Sequence, residues 1–227
     1  RAIFGLFEAT AGGDDDIRVS LNGKERGTFR TLRQQGKKKS GVENLALADF
    51  IAPEDSGVQD YMGAFCVAIF GAEEIAQKYK EEHDDYHAIL VQAIADRFAE
   101  AFAEYLHHQV RTRHCGYAPS ESLSNEELIK EAYRGIRPAP GYPACPDHLE
   151  KDSICELLEV EKNIGVKLTE SRAMWPAAAV SGYYFASPEA RYFGLGKITR
   201  EQVEDYAQRK GIPFDEARKW LQPNLAD

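Results

Sequence analysis

The run "DYMGAFCVAIFG", Asp60–Gly71, is apolar at almost every position and carries three aromatic rings among small residues. A continuous apolar run of this kind, bounded by turn-type residues, reads as a central strand with both faces covered. Upstream of it, "AIFGLFEA" near the start reads as a buried strand, followed by the acidic loop "GGDDD". "IRVSLNGKERGTFRTL" (Ile17–Leu32) then reads as two strands joined at Asn22-Gly23, a favoured tight-turn pair. The basic block Lys37–Lys39 beside Gly36 reads as a solvated loop, and "LALADFIAP" ends at Pro53.

Downstream the pattern turns helical. "HDDYHAILVQAIADRFAEAFAEYLHHQVR" (His83–Arg111) carries Leu90, Ile94, Phe98, Ala101 and Tyr105 at spacings of four, four, three and four, a stripe expected to face the core. Ser124-x-x-Glu127 predicts a capping box opening a second helix, with Gly135 at its C-cap. Asp147-x-x-Glu150 opens a third, closing near Gly165. "AVSGYYFASPEARYFGLGKI" predicts two aromatic strands with a turn at Ala186–Ala190. Thr199-x-x-Gln202 opens a helix ending before Gly211, and "FDEARKWLQ" is a last short one before Pro223. Strands, helices, strands and helices follow one another without βαβ alternation. The expectation is an α+β fold, a twisted, mainly antiparallel sheet flanked by helices, in one domain over 1–227.

The chain has 227 residues, 43% hydrophobic and 29% charged, with a net charge of −9. That balance is ordinary for a globular domain. The acids are spread along the chain and no basic face emerges, so nucleic acid is not the expected partner. No run of apolar residues reaches membrane-spanning length, and the N-terminus lacks the order of a signal peptide. Four irregularly spaced cysteines (Cys66, Cys115, Cys145, Cys155) suggest a reduced, cytoplasmic setting rather than a disulfide framework. The chain begins without Met, as a processed chain or a piece of a longer one would.

The chemistry-bearing stretch is "GIRPAPGYPACPDH", Gly135–His148. Pro138, Pro140, Pro143 and Pro146 fix φ, remove backbone donors and bias their predecessors towards extended conformations. A stiff ribbon is expected, displaying Arg137 as a fork for a carboxylate and Tyr142 as a ring and hydroxyl, with Gly141 admitting close approach to the backbone. The competing reading is a connection that merely packs between helices. On the long helix, Asp96, Glu100 and Glu104 form an acidic ridge that is either a wet face or a wall for a cationic ligand, which Glu131 could join. His83 and His87 have metal-like spacing, but the position suits a helix start better, and no metal is expected. His107-His108 are explained by the helix dipole, and Cys145/His148 offer a weak nucleophile–base alternative. The aromatics Tyr183, Tyr184, Phe185, Tyr192 and Phe193 read mostly as core, with outward rings able to stack on a purine. No glycine-rich dinucleotide or P-loop motif occurs.

"RPAPGYPACPDH" resembles the R-x-x-x-G-Y signature of the activation domain of cobalamin-dependent methionine synthase. "ADFIAP", "DRFAEAFAEYLH", "SNEELI", "LLEVEK", "LTESRAMWPAAAVSG", "ARYFGLGKI", "QVEDYA" and "KWLQPNL" follow in that family's order, so the resemblance covers essentially the whole chain. It implies an unusual C-shaped single domain that binds S-adenosylmethionine and docks on a cobalamin-binding domain. It further implies reductive reactivation of oxidised cobalamin in methionine biosynthesis, with an electron from a flavodoxin-type donor. By the same resemblance, Arg137, Ala139, Gly141 and Tyr142 line the ligand, and Tyr192–Phe193 sit beside its adenosyl group. The hydroxyl of the family's second aromatic is lost at Phe193. Glu100 and Glu131 lie near the sulfonium and the corrin face. The family's domain begins with a further segment containing an Asp-Trp-Thr-Pro-Phe-Phe run, absent here, so the chain is expected to lack its N-terminal segment. The folate, homocysteine and cobalamin modules of that family are also absent from the sequence, so the chain alone should not make methionine. The alternative is a docking module for a corrinoid or flavodoxin partner with an incomplete ligand site.

Overall fold

The computed structural model describes residues 1–13 and 15–226; Asp14 of the acidic loop lies outside the described residues. Four strands come first: β1 (Ala2–Ala11), β2 (Asp16–Leu21), β3 (Lys24–Arg30) and β4 (Asp60–Ala68). Helices α1 (Ala72–Glu81), α2 (Asp85–Gln109), α3 (Asn125–Ile129), α4 (Glu150–Leu157) and α5 (Val160–Ile164) follow. The short ribbon of β5 (Lys167–Leu168) and β6 (Met174–Trp175) leads into β7 (Ala179–Tyr184). Helices α6 (Arg200–Lys210) and α7 (Phe214–Leu221) close the chain. The main sheet has the order β3-β2-β1-β4-β7, and its neighbouring strands pair antiparallel. The expected α+β architecture is therefore found.

β4 accounts for its unbroken apolar sequence. Met62, Ala64, Cys66 and Ala68 join a core with Ile154, Leu158, Val160 and Ile164 of the α4–α5 side. Phe65 and Val67, pointing the other way, pack with Ala103, Leu106 and Tyr184 under α2. Both faces of the sheet are thus covered, which is uncommon for antiparallel strands and removes the polar alternation they usually show. A satellite cluster of Leu32, Leu195, Ile198, Val203, Tyr206 and Leu221 ties α6 and α7 to the sheet's end.

Four local expectations are corrected. The stripe Leu90–Ile94–Phe98–Ala101–Tyr105 faces out, with Phe98 61% and Tyr105 59% exposed. α2 instead turns Ala88, Ala95, Ala99, Ala103 and Leu106 inward. Small side chains let its backbone lie close to the sheet and to α1, and that proximity outweighs the larger apolar residues opposite. The helix opened by Ser124 stops at Ile129, and Gly135 does not cap it. The Asp147–Gly165 helix is broken into α4 and α5 at Glu159, whose φ is 47°. Finally, the second arm of the aromatic hairpin is not a strand. The edge of β7 that it would need is taken by the proline-rich segment: Ile136 and Phe185 exchange two backbone hydrogen bonds of 3.0 Å, and the Tyr183 amide donates to the Pro138 carbonyl at 2.9 Å.

Gly182 in β7 permits that pairing. A Cβ there would lie 2.6 Å from the Pro138 carbonyl oxygen and 3.0 Å from the Phe65 ring. Gly182→Ala is expected to destabilise the domain by about 1–3 kcal/mol in urea unfolding. Phe98→Ala is expected to stay within about 0.5 kcal/mol of the parent. A Phe98 cost above 3 kcal/mol would show that the stripe is packed after all.

Candidate functional site

The ribbon runs extended only through Pro138. Beyond it the chain folds back: Tyr142 donates to the Ala139 carbonyl at 3.2 Å, Cys145 to Tyr142 at 2.9 Å, and Gly141 to Cys145 at 2.7 Å. Pro140 and Pro143 stiffen this knot rather than lengthen a strand. Gly141, at φ 94°, turns its Cα against His148, where a Cβ would meet the imidazole at 2.4 Å. Its glycine therefore serves the turn over His148, and it does not line the cavity described next.

That cavity, about 560 Å³, lies between α2, the ribbon, the sheet and the segment after β7. Glu100, Glu131, Arg137, Ala139, Tyr142, Tyr192 and Phe193 line it, so seven of the eight residues singled out in the sequence converge there. Phe65, Pro138, Pro143, Ala144, Val180 and Gly194 complete the wall. These carry no sequence signal of ligand contact, being ordinary apolar residues placed by the sheet and the knot. Asp96 of the acidic ridge is not among the lining residues.

Local structure aims each group. Glu131 ends α3 in a left-handed turn, φ 54°: its amide donates to Leu128 at 3.0 Å, and the Ala132 amide to Glu127 at 3.0 Å. This paired pattern usually employs glycine at the left-handed position. A glutamate held there is strained, as residues at ligand sites often are. Glu100 stands one helical turn before Glu104 on α2. Neither Glu100 nor Glu131 has a cationic partner within 4.0 Å among the described residues, so both carboxylates face the cavity uncompensated.

Arg137 is held from three sides. Its Nη1 donates to the Tyr133 hydroxyl at 2.7 Å and pairs with Glu104, while its backbone amide donates to the Tyr192 hydroxyl at 3.0 Å. That last contact fixes Tyr192 against the ribbon. Phe193 packs edge-on against Phe50, ring centroids 6.3 Å apart, so it serves both core and cavity.

The remaining candidates have structural roles. The Asp84 carboxylate caps α2, accepting from the His87 amide at 3.1 Å, and no metal-type group of three acids, histidines or cysteines exists among the described residues. Cys145 is buried. Burial, then Glu150 and Asp147, hold its thiol far above the ordinary range and remove it as a nucleophile. Asp147 accepts from the Leu149 amide at 2.8 Å and from Tyr206, not from His148. Glu150, also buried, pairs with Lys210.

His107 does not interact with the helix dipole as an imidazolium. It is fully buried, stacked on Tyr184 at 5.0 Å, and its pKa lies well below the ordinary value. Burial is the main cause, followed by repulsion from Arg111, Arg137 and His108. The unfolded chain binds a proton at His107 below about pH 6.5 and the folded chain does not, so this residue costs stability as pH falls. The stability difference between the parent and His107→Phe should therefore shift against the parent below about pH 6.5, at up to about 1.4 kcal/mol per pH unit. Denaturant unfolding from pH 8 to 5 measures it. Asp147 and Glu150, whose raised values act in the opposite sense, are common to both proteins and cancel.

Fold and site together define a small-molecule-binding domain: a preorganised, mostly apolar cavity with one fixed guanidinium and two free carboxylates. Residues 1–211 match the family model described as vitamin B12 dependent methionine synthase, activation domain, and the chain belongs to that family. Among solved structures it is similar to a crystal structure of the MetH reactivation domain bound to AdoHcy. The two share 54% sequence identity and a TM-score of 0.96, over 100% of this chain and 70% of that one.

Proposed function

We propose that the chain, 1–227, is one activation domain that binds S-adenosylmethionine in this cavity and presents its methyl group to the cobalamin-binding domain of the same protein during reductive reactivation. The observation that carries this reading is the convergence of Glu100, Glu131, Arg137 and the aromatic Tyr142 and Tyr192 from four chain segments on one cavity. Its volume of about 560 Å³ falls within the range of roughly 300–1,000 Å³ usual for such ligands. The charges suit the ligand: two free carboxylates stabilise a sulfonium without reacting with it, and a guanidinium suits a carboxylate. The rings offer flat faces to adenine.

Cobalamin, held by a separate domain, supplies the cobalt chemistry, and a flavodoxin-type donor supplies the electron. This chain's residues bind and orient the methyl donor, and their contribution is position and electrostatics. No helix among the described residues is long and apolar enough to cross a membrane, and the four cysteines are free, which supports a cytoplasmic setting. The chain alone is not expected to make methionine.

Calorimetric titration with S-adenosylmethionine tests the reading. The parent chain should bind, and Arg137→Ala should lose roughly ten- to a hundredfold in affinity while remaining folded by circular dichroism. Glu100→Gln combined with Glu131→Gln should weaken S-adenosylmethionine more than S-adenosylhomocysteine, which lacks the positive sulfur. Unchanged affinity in Arg137→Ala would sink the assignment of the cavity.

A further inference from the structure

Behind Arg137 lies a second layer of charge that the cavity residues alone do not reveal. α2 ends in a wider π-type turn, Val110–His114, and this turn directs Arg111 inward, where its side chain is fully buried. Wide turns of this kind recur at functional sites. Arg111 grips Glu121 with two hydrogen bonds, Nε to Oε2 at 2.8 Å and Nη2 to Oε1 at 2.7 Å. Its guanidinium lies 3.9 Å above the Tyr133 ring, and its Nη2 is 3.6 Å from Glu104 Oε1. The Tyr133 hydroxyl, which accepts from Arg137, in turn donates to Glu104 Oε2 at 3.5 Å.

Glu104 is therefore shared. One carboxylate oxygen holds Arg137, and the other faces Arg111, itself anchored by Glu121. A fully buried guanidinium requires such pairing, because leaving it uncompensated is strongly unfavourable. The two guanidiniums and two carboxylates cancel one another. The cavity's net charge is thereby left to Glu100 and Glu131.

Holding Arg137 through Nη1 has a geometric consequence. Its Nε and Nη2 have no protein hydrogen-bond partner among the described residues, and these two form the side-on edge of the fork that matches a carboxylate. A long side chain fixed in advance loses less freedom on binding than a mobile one.

We propose that Glu104 is a positioning residue. Backed by Arg111 and Glu121, it presets Arg137 so that its free edge receives the carboxylate of the bound amino-acid moiety. This rests on the reading of the cavity as an S-adenosylmethionine site. The test compares S-adenosylmethionine with its decarboxylated analogue, titrated calorimetrically into the parent chain and Glu104→Ala. Affinity for S-adenosylmethionine should fall about tenfold in the variant, and affinity for the decarboxylated analogue should change less than about twofold. Equal weakening of both ligands would mean a general structural role and overturn the proposal, as would no change in either. Glu104→Gln keeps the side-chain shape around Arg111; it carries the same comparison, with a smaller ratio in the same direction, if Glu104→Ala melts below the titration temperature. Failure of the parent chain to bind S-adenosylmethionine would instead overturn the cavity's assignment, and this proposal with it. Binding by the parent with no selective effect of Glu104 would overturn the positioning role alone.

Discussion

The site depends on the burial of β4 on both faces. An antiparallel strand with Phe65 and Val67 on one side and Met62, Ala64 and Cys66 on the other must be covered twice. α4 and α5 cover one face and α2 the other. Because α2 approaches through alanines, it runs close enough for Glu100, next around the helix, to line the cavity and for Glu104 to reach Arg137 behind it. The same strand carries Phe65 into the cavity wall. β7, paired on β4, offers its outer edge to Ile136–Pro138. Loosening that stack would move the helix acids and the ribbon arginine apart together.

Strand existence, the hairpin at Asn22-Gly23 and most helix starts were legible because they rest on local chemistry: apolar runs, turn pairs and caps. The inward face of α2 was not. Periodicity weights large apolar side chains, whereas this contact selects small ones, and Ala95, Ala99 and Ala103 give little signal beside Ile94 and Phe98. The second arm of the aromatic hairpin failed for a non-local reason. "ARYFGLGKI" is strand-like by composition, but Ile136–Pro138, distant in sequence, competes for the same edge. A proline-rich segment is a poor central strand and an adequate edge strand, since it needs only the donors and acceptors it retains.

At the site, the resemblance to a family singled out the residues, and their convergence follows from the fold. Arg137, Tyr142 and Glu100 were conspicuous as a charged or aromatic group on a stiffened segment or an acidic ridge. Gly141 has a structural account of its own: its positive φ and its contact with His148 require a glycine there. Glu104 stood in the ridge with nothing to set it apart from Asp96. Only the fold separates them, bringing Arg137 and Tyr133 to the one and solvent to the other. Arg111, Glu121 and Tyr133 were illegible because their partners lie across a turn whose width no local pattern announces.

Preorganisation and charge are set by different parts of the molecule, and this separation explains the arrangement. The prolines, the knot at Ala139–Cys145 and the left-handed Glu131 fix positions through the backbone and are insensitive to ionisation. The sign of the cavity is set by side chains alone. Had Arg137 faced Glu100 or Glu131 directly, ion pairing would have neutralised the acids needed opposite a cation. Engaging it with Glu104, farther along the helix, leaves those two carboxylates free. Arg111 then prevents Glu104 and Glu121 from adding a buried negative charge of their own. A site for a zwitterion that also bears a sulfonium needs one cationic and several anionic contacts within a few ångströms, without their collapse onto each other. On the proposed reading of the cavity, the shared carboxylate on α2 meets that need by giving the arginine a partner outside the ligand's path.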